Sequence, residues 1–127
     1  ICLCAGTWLE GGESTGKNVV ETARYFGNQS KLFKIHFRNV DKPLPHFKET
    51  FLDNGYMDMY QIIKCLKEVN FDGIIIPDHN PTMGSLNDRK SKNPHREGKY
   101  GVQNRTATAF AIGYMKALVT RANEEPA

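Results

Sequence analysis

The sequence predicts an α/β fold built on parallel strands, and three observations carry that prediction. Short apolar runs and amphipathic stretches alternate along the 127 residues in the order strand, helix, strand, helix, strand, helix, the pattern of parallel strands joined by helical crossovers. The run Gly73-Ile74-Ile75-Ile76-Pro77 reads as a buried strand stopped by a proline, with Asp78 and His79 immediately after it. Each predicted strand also ends on a residue able to bind a metal or carry a proton, and in α/β folds ligands lie just past the carboxyl ends of strands. Three strand–helix units form either an open sheet or the last three units of an eight-unit (β/α) barrel, which averages roughly 30 residues per unit.

In chain order, residues 1–4 read as the tail of a strand. Because the chain starts Ile1-Cys2-Leu3-Cys4 without a methionine, residues 1–127 are expected to be the C-terminal piece of one longer domain, inactive in isolation. Residues 5–17 read as a glycine-rich loop. Asn18 to Phe26 is helical in pattern, with Val19, Val20 and Ala23 on one face and Gly27 closing it. Leu32 to Phe37 is the second strand, with Phe33, Ile35 and Phe37 alternating. Residues 39–55 read as a long loop. Met57 to Val69 is an amphipathic helix, its Met59, Ile62, Ile63 and Leu66 at helical spacing. Ile74 to Ile76 is the third strand, residues 77–104 form a long polar loop, and Thr106 to Arg121 is the last helix. Its expected apolar stripe is Ala107, Phe110, Ala111, Tyr114 and Leu118.

Composition narrows the function. No apolar run approaches the ~18 residues of a membrane span. The formal charge of +3 is mild, and the basic group Lys90, Lys92, His95, Arg96 and Lys99 reads as a solvated loop, so neither nucleic acid nor membrane is an expected partner. Three cysteines without framework spacing suit a reducing, cytoplasmic compartment.

The carboxyl ends of parallel strands share one rim, so Cys4, His36 and Asp78 are expected to converge there. Taken singly, Cys4 reads as a small buried hydrophobe and His36 as a satisfied core histidine. Taken together, sulfur, imidazole and carboxylate suit a borderline divalent ion such as Mn²⁺, Fe²⁺ or Zn²⁺. A competing motif is Gly11-Gly12-Glu13-Ser14-Thr15-Gly16-Lys17-Asn18, which approaches the phosphate-binding pattern G-x-x-x-x-G-K-[ST] and departs from it at Asn18. A glycine loop over the rim is the preferred reading there.

Six blocks occur in order: Cys4-Ala5-Gly6-Thr7, His36-Phe37-Arg38-Asn39-Val40, Phe47-Lys48-Glu49, Gly55-Tyr56-Met57-Asp58-Met59-Tyr60, Pro77-Asp78-His79 and Ala111-Ile112-Gly113. Together they resemble the C-terminal part of the mannonate dehydratase family. The resemblance implies the last three units of a xylose-isomerase-like (β/α)8 TIM barrel, in a full-length protein expected to be a homo-oligomer. It implies a hydro-lyase that converts the sugar acid D-mannonate to 2-keto-3-deoxy-D-gluconate in hexuronate breakdown. It also implies Mn²⁺ or Fe²⁺ held by Cys4, His36 and Asp78, with a further histidine ligand upstream of residue 1, and His79 as acid/base. Arg38 or Lys99 would neutralise the substrate carboxylate, Asn39 would bond a hydroxyl and Glu49 would organise the rim. The family's tyrosine two residues before Ala-Ile-Gly is Ala109 here, which leaves Tyr100 as the candidate hydroxyl. An isomerase or epimerase on the same barrel, and a paralogue without catalysis, are the alternatives.

Overall fold

The computed structural model describes residues 1–81 and 102–126. Tyr100, Lys99 and the rest of the Lys90–Lys99 basic group lie outside the described residues. Among the described residues, strands β1 (Cys2–Cys4), β2 (Lys34–Phe37) and β5 (Ile74–Pro77) form a parallel sheet in the order β1-β2-β5. The central strand is locked on both sides. Leu3 pairs with Ile35 and Cys4 with His36 on one edge; Ile35 pairs with Ile75 and His36 with Ile76 on the other. Side chains alternate across a strand, so Leu3, Ile35 and Phe37 point to one face, where each is buried.

Helices α2 (Val19–Gly27), α3 (Tyr60–Glu68) and α4 (Val102–Glu124) connect and follow these strands, with α3 packed against both α2 and α4. The α3 periodicity is realised as expected: Met59, Ile62, Ile63 and Leu66 are all buried. Helix α2 starts with a reciprocal cap. The Glu21 N–H donates to Asn18 Oδ1 at 2.9 Å, and the Asn18 N–H donates to Glu21 Oε2 at 3.0 Å. Gly27 serves close packing, since a Cβ there would lie 2.5 Å from the Val69 side chain. The end of α4 is held by Lys67, whose ammonium donates to the carbonyls of Ala122 at 2.6 Å and Glu125 at 2.8 Å. No helix among the described residues is long and apolar enough to cross a membrane.

Phe33, expected to alternate with Ile35 and Phe37, lies just outside β2 and is 61% exposed, and the structure departs from the sequence reading at four further places. The stretch read as a glycine loop is helical: α1 covers Ala5–Gly11, and a 3₁₀ turn covers Gly12–Thr15. Burial of Ala5 and Leu9, one turn apart on the same face, offsets the poor helix propensity of the glycines. The long loop 39–55 contains a two-stranded antiparallel ladder, β3 (Asn39–Val40) with β4 (Glu49–Thr50). Strand β5 is not fully buried: Ile74 is 63% exposed, as it lies on the outer edge of the described sheet. The buried stripe of α4 runs through Ala107, Ala111, Met115, Leu118 and Ala122, while Phe110 turns outward and stacks with Tyr114.

Two substitutions should separate packing from capping. Ile62→Ala deletes a fully buried side chain and should lower the unfolding free energy by about 2–5 kcal/mol. Asn18→Ala removes the α2 cap and should cost about 1 kcal/mol. Urea titration of the purified protein followed by circular dichroism measures both.

Candidate active site

The pleat that buries Leu3, Ile35 and Phe37 sends their neighbours the other way. Cys4 and His36 are register partners, and so are His36 and Ile76. Their side chains therefore share a face, and Asp78, two residues past Ile76, returns to it. Cys4 Sγ lies 3.6 Å from Asp78 Oδ2, and His36 Nδ1 lies 3.8 Å from Asp78 Oδ1. One donor atom from each residue falls within 4.8 Å of the others. Donors bound about 2.0–2.3 Å from a single ion stand roughly 3–4 Å from each other. The three groups are thus spaced for one cation, yet too far apart to satisfy one another with strong hydrogen bonds. All three are half-buried, which leaves an open side for a substrate.

Behind this cluster sits Arg38, its side chain only 4% exposed. Its Nη1 donates to Glu10 Oε1 at 2.5 Å and stands 3.5 Å from Glu49 Oε1, while Nε is 3.4 Å from Asp78 Oδ2 and Nη2 is 4.0 Å from Cys4 Sγ. Burial alone would pull the Arg38 pKa down. The hydrogen bond and charge of Glu10, followed by those of Cys4, outweigh it and hold the pKa above its ordinary value. Arg38 therefore stays charged, and that charge is committed to protein carboxylates. Gly6 makes the room: a Cβ at that position would collide with the Arg38 guanidinium.

Asn39 is fully buried and works within the loop. Its amide donates both protons to backbone, to Leu52 O at 3.0 Å and Met57 O at 2.9 Å, and its oxygen accepts from the Val40 N–H at 3.0 Å. Gly55 packs directly on this amide. His79 is 53% exposed, with Nδ1 2.6 Å from Glu49 Oε1 and Nε2 3.7 Å from Asp78 Oδ1. The structure therefore brings Cys4, His36, Asp78, Arg38 and His79 together and puts the Asn39 amide on backbone carbonyls; Tyr100 lies outside the described residues. Sequence reasoning missed Glu10. The signal becomes visible only once residues 5–11 are known to be helical, for Glu10 then stands one turn beyond Gly6 on the side facing Arg38.

The model of the D-mannonate dehydratase family matches residues 1–125. The chain belongs to the mannonate dehydratase family. It is 36% identical over 83 residues to the mannonate dehydratase of Lachnoclostridium phytofermentans, an alignment covering 62% of this chain and 22% of that protein. With the mannonate dehydratase of Lactococcus lactis subsp. lactis it shares 35% over 85 residues, 62% of this chain and 23% of that one. The crystal structure of mannonate dehydratase from Streptococcus suis serotype 2 superimposes on all of this chain with a TM-score of 0.65 at 21% identity, using 34% of its own length. At that identity the likeness shows the fold, with its helices and parallel strands. This mannonate dehydratase family chain thus spans only about a fifth to a third of the length of the relatives it matches.

Arg38→Met should destabilise the protein by a few kcal/mol. Removing one partner from a buried ion cluster costs about 3–5 kcal/mol, and the low end applies because the carboxylates of Glu10, Asp78 and Glu49 are 21–32% exposed. Arg38→Lys should not recover the loss, since one compact ammonium cannot serve carboxylates on several sides. Thermal melts of the variants check both outcomes.

Proposed function

We propose that this chain forms part of the catalytic rim of a cytoplasmic, metal-dependent sugar-acid dehydratase that converts D-mannonate to 2-keto-3-deoxy-D-gluconate. The observation that carries the proposal is the convergence of Cys4, His36 and Asp78 donor atoms within 4.8 Å on the open face of the sheet. Membership of the mannonate dehydratase family supports the substrate class. The fold shared with the Streptococcus suis enzyme supports reading the three strand–helix units as a section of a (β/α)8 barrel.

Cys4, His36 and Asp78 would hold Mn²⁺ or Fe²⁺. When bound, such an ion supplies positive charge for the substrate oxygens that become more negative as the reaction proceeds. The overall change removes the proton on the carbon beside the carboxylate and the hydroxyl on the next carbon. Water departs, and the enol that results tautomerises to the ketone. The proton is weakly acidic and hydroxide is a poor leaving group, so a group able to accept and return a proton is needed next to the donor cluster. His79 meets that need: its ring is accessible, and Nε2 lies beside Asp78. Arg38 contributes from behind, its charge 3.4 Å from Asp78 Oδ2 favouring the ionised carboxylate. A hydroxyl from Tyr100 would be a second proton donor in this scheme.

The test uses the full-length protein that contains this chain. Cys4→Ala, His36→Ala and Asp78→Asn should each weaken Mn²⁺ binding at least tenfold by calorimetry and abolish formation of the keto-deoxy acid. Chelation should remove turnover, and added Mn²⁺ or Fe²⁺ should restore it. His79→Asn should keep the metal while lowering kcat by about 10²–10⁴-fold. An isomeric sugar acid as product, in place of the keto-deoxy acid, would assign the site to an isomerase or epimerase.

A further inference from the structure

We infer that Glu49 is a positioning residue that fixes the His79 ring with Nε2 toward the Cys4–His36–Asp78 cluster. The inference rests on the reading of His79 as the proton carrier. His79 follows the end of β5, and its side chain is 53% exposed, so little packing restrains it. Its short contact is to Glu49, whose Oε1 stands 2.6 Å from Nδ1. A carboxylate can only accept, so in neutral His79 the proton belongs on Nδ1 and Nε2 is left free. That free nitrogen is the one 3.7 Å from Asp78 Oδ1. One contact thus selects both the ring orientation and the tautomer.

Glu49 can impose this geometry because it is itself held. It lies on β4 opposite Val40 of β3. The loop between these strands is closed by Asp41, whose N–H donates to Lys48 O at 3.0 Å and whose Oδ1 accepts from the Lys48 N–H at 2.6 Å. Behind it, the Oε1 that faces His79 is 3.5 Å from Arg38 Nη1, and the same Nη1 donates to Glu10. A line of polar contacts, Glu10–Arg38–Glu49–His79, therefore runs from the last turn of α1 to the open rim. Arg38 also stands 3.4 Å from Asp78 Oδ2, so the proton carrier and a metal-ligand candidate share one support.

The decisive variants are Glu49→Ala and Glu49→Gln in the full-length protein at saturating divalent metal. Glu49→Ala should lower kcat about 10–100-fold, as loss of a residue orienting an active-site histidine does, with KM and metal content little changed. In long-range ¹H–¹⁵N spectra of histidine-labelled protein, with His79 assigned through His79→Asn, its Nδ1-protonated pattern should disappear. Glu49→Gln keeps an acceptor oxygen and should recover part of both kcat and that pattern. Wild-type kcat or an unchanged ring pattern in Glu49→Ala overturns the inference. So does a loss of kcat matched by loss of metal or of the fold, because Glu49 would then act only through Arg38. If His79→Asn itself turns over normally, the role of His79 is what fails, and the ring spectrum alone decides whether Glu49 sets the tautomer.

Discussion

The buried guanidinium of Arg38 is the constraint around which this part of the molecule is arranged. A cation removed from water needs partners on several sides, and its desolvation is offset only where the geometry is good. Glu10 on α1 and Glu49 on β4 pair with its Nη1, and Asp78 just past β5 places its charge 3.4 Å from Nε, an atom with no hydrogen-bond partner among the described residues. Residues 5–11 must be helical to bring Glu10 inward, and position 6 must lack a side chain to let the guanidinium pass. Strand β4 must pair with β3 to deliver Glu49. The chain just past β5 must turn so that Asp78 meets Nε. A single side chain thus links the local structure of four segments to the shape of the site.

The sheet divides its labour by face. On one face Leu3, Ile35 and Phe37 meet the helices and supply apolar burial; on the other, Cys4, His36 and Asp78 gather. Because the side-chain period is two, a slip of one residue in β1 or β5 would send the donor groups into the core and apolar groups into the site. The register is therefore as much a requirement of the chemistry as of the core. Pairing of β2 on both edges is what holds it.

What was legible in the sequence follows from which signals are local. The three strands were readable from short apolar runs bounded by turn residues and α3 from its helical spacing, and the rim cluster followed once parallel strands were accepted. Helix α1 was hidden by Gly6, Gly11 and Gly12. The first of these is present for Arg38, which is 32 residues away in sequence and invisible to any local rule. The pairing of β3 with β4 escaped because two-residue strands carry no period. The α4 stripe was legible at Ala107, Ala111 and Leu118, while Phe110, expected with them, is 43% exposed and Met115 and Ala122 take the remaining buried places. Asn39 looked like a hydroxyl partner, but the carbonyls that take its amide protons lie 13 and 18 residues on.

The near-match to a phosphate-binding loop shows the same logic in reverse. Such a loop works only if its backbone N–H groups point free into a shared concavity. Here Gly11 ends a helix, and the following donors are used within the run. The Gly16 N–H goes to Glu13 O at 3.2 Å, and the Lys17 N–H to Thr15 O at 3.1 Å. Thr15 Oγ1 lies 2.7 Å from Gly12 O and 3.0 Å from Lys17 O. Asn18, the residue that departs from the motif, donates its N–H to the Glu21 carboxylate, and its side-chain oxygen accepts from the Glu21 N–H in the first turn of α2. The departure is thus the helix cap itself, and a hydroxyl at position 18 could serve that cap equally well. The Gly16, Lys17 and Asn18 N–H groups are already used within the run and are not free to cradle a phosphate.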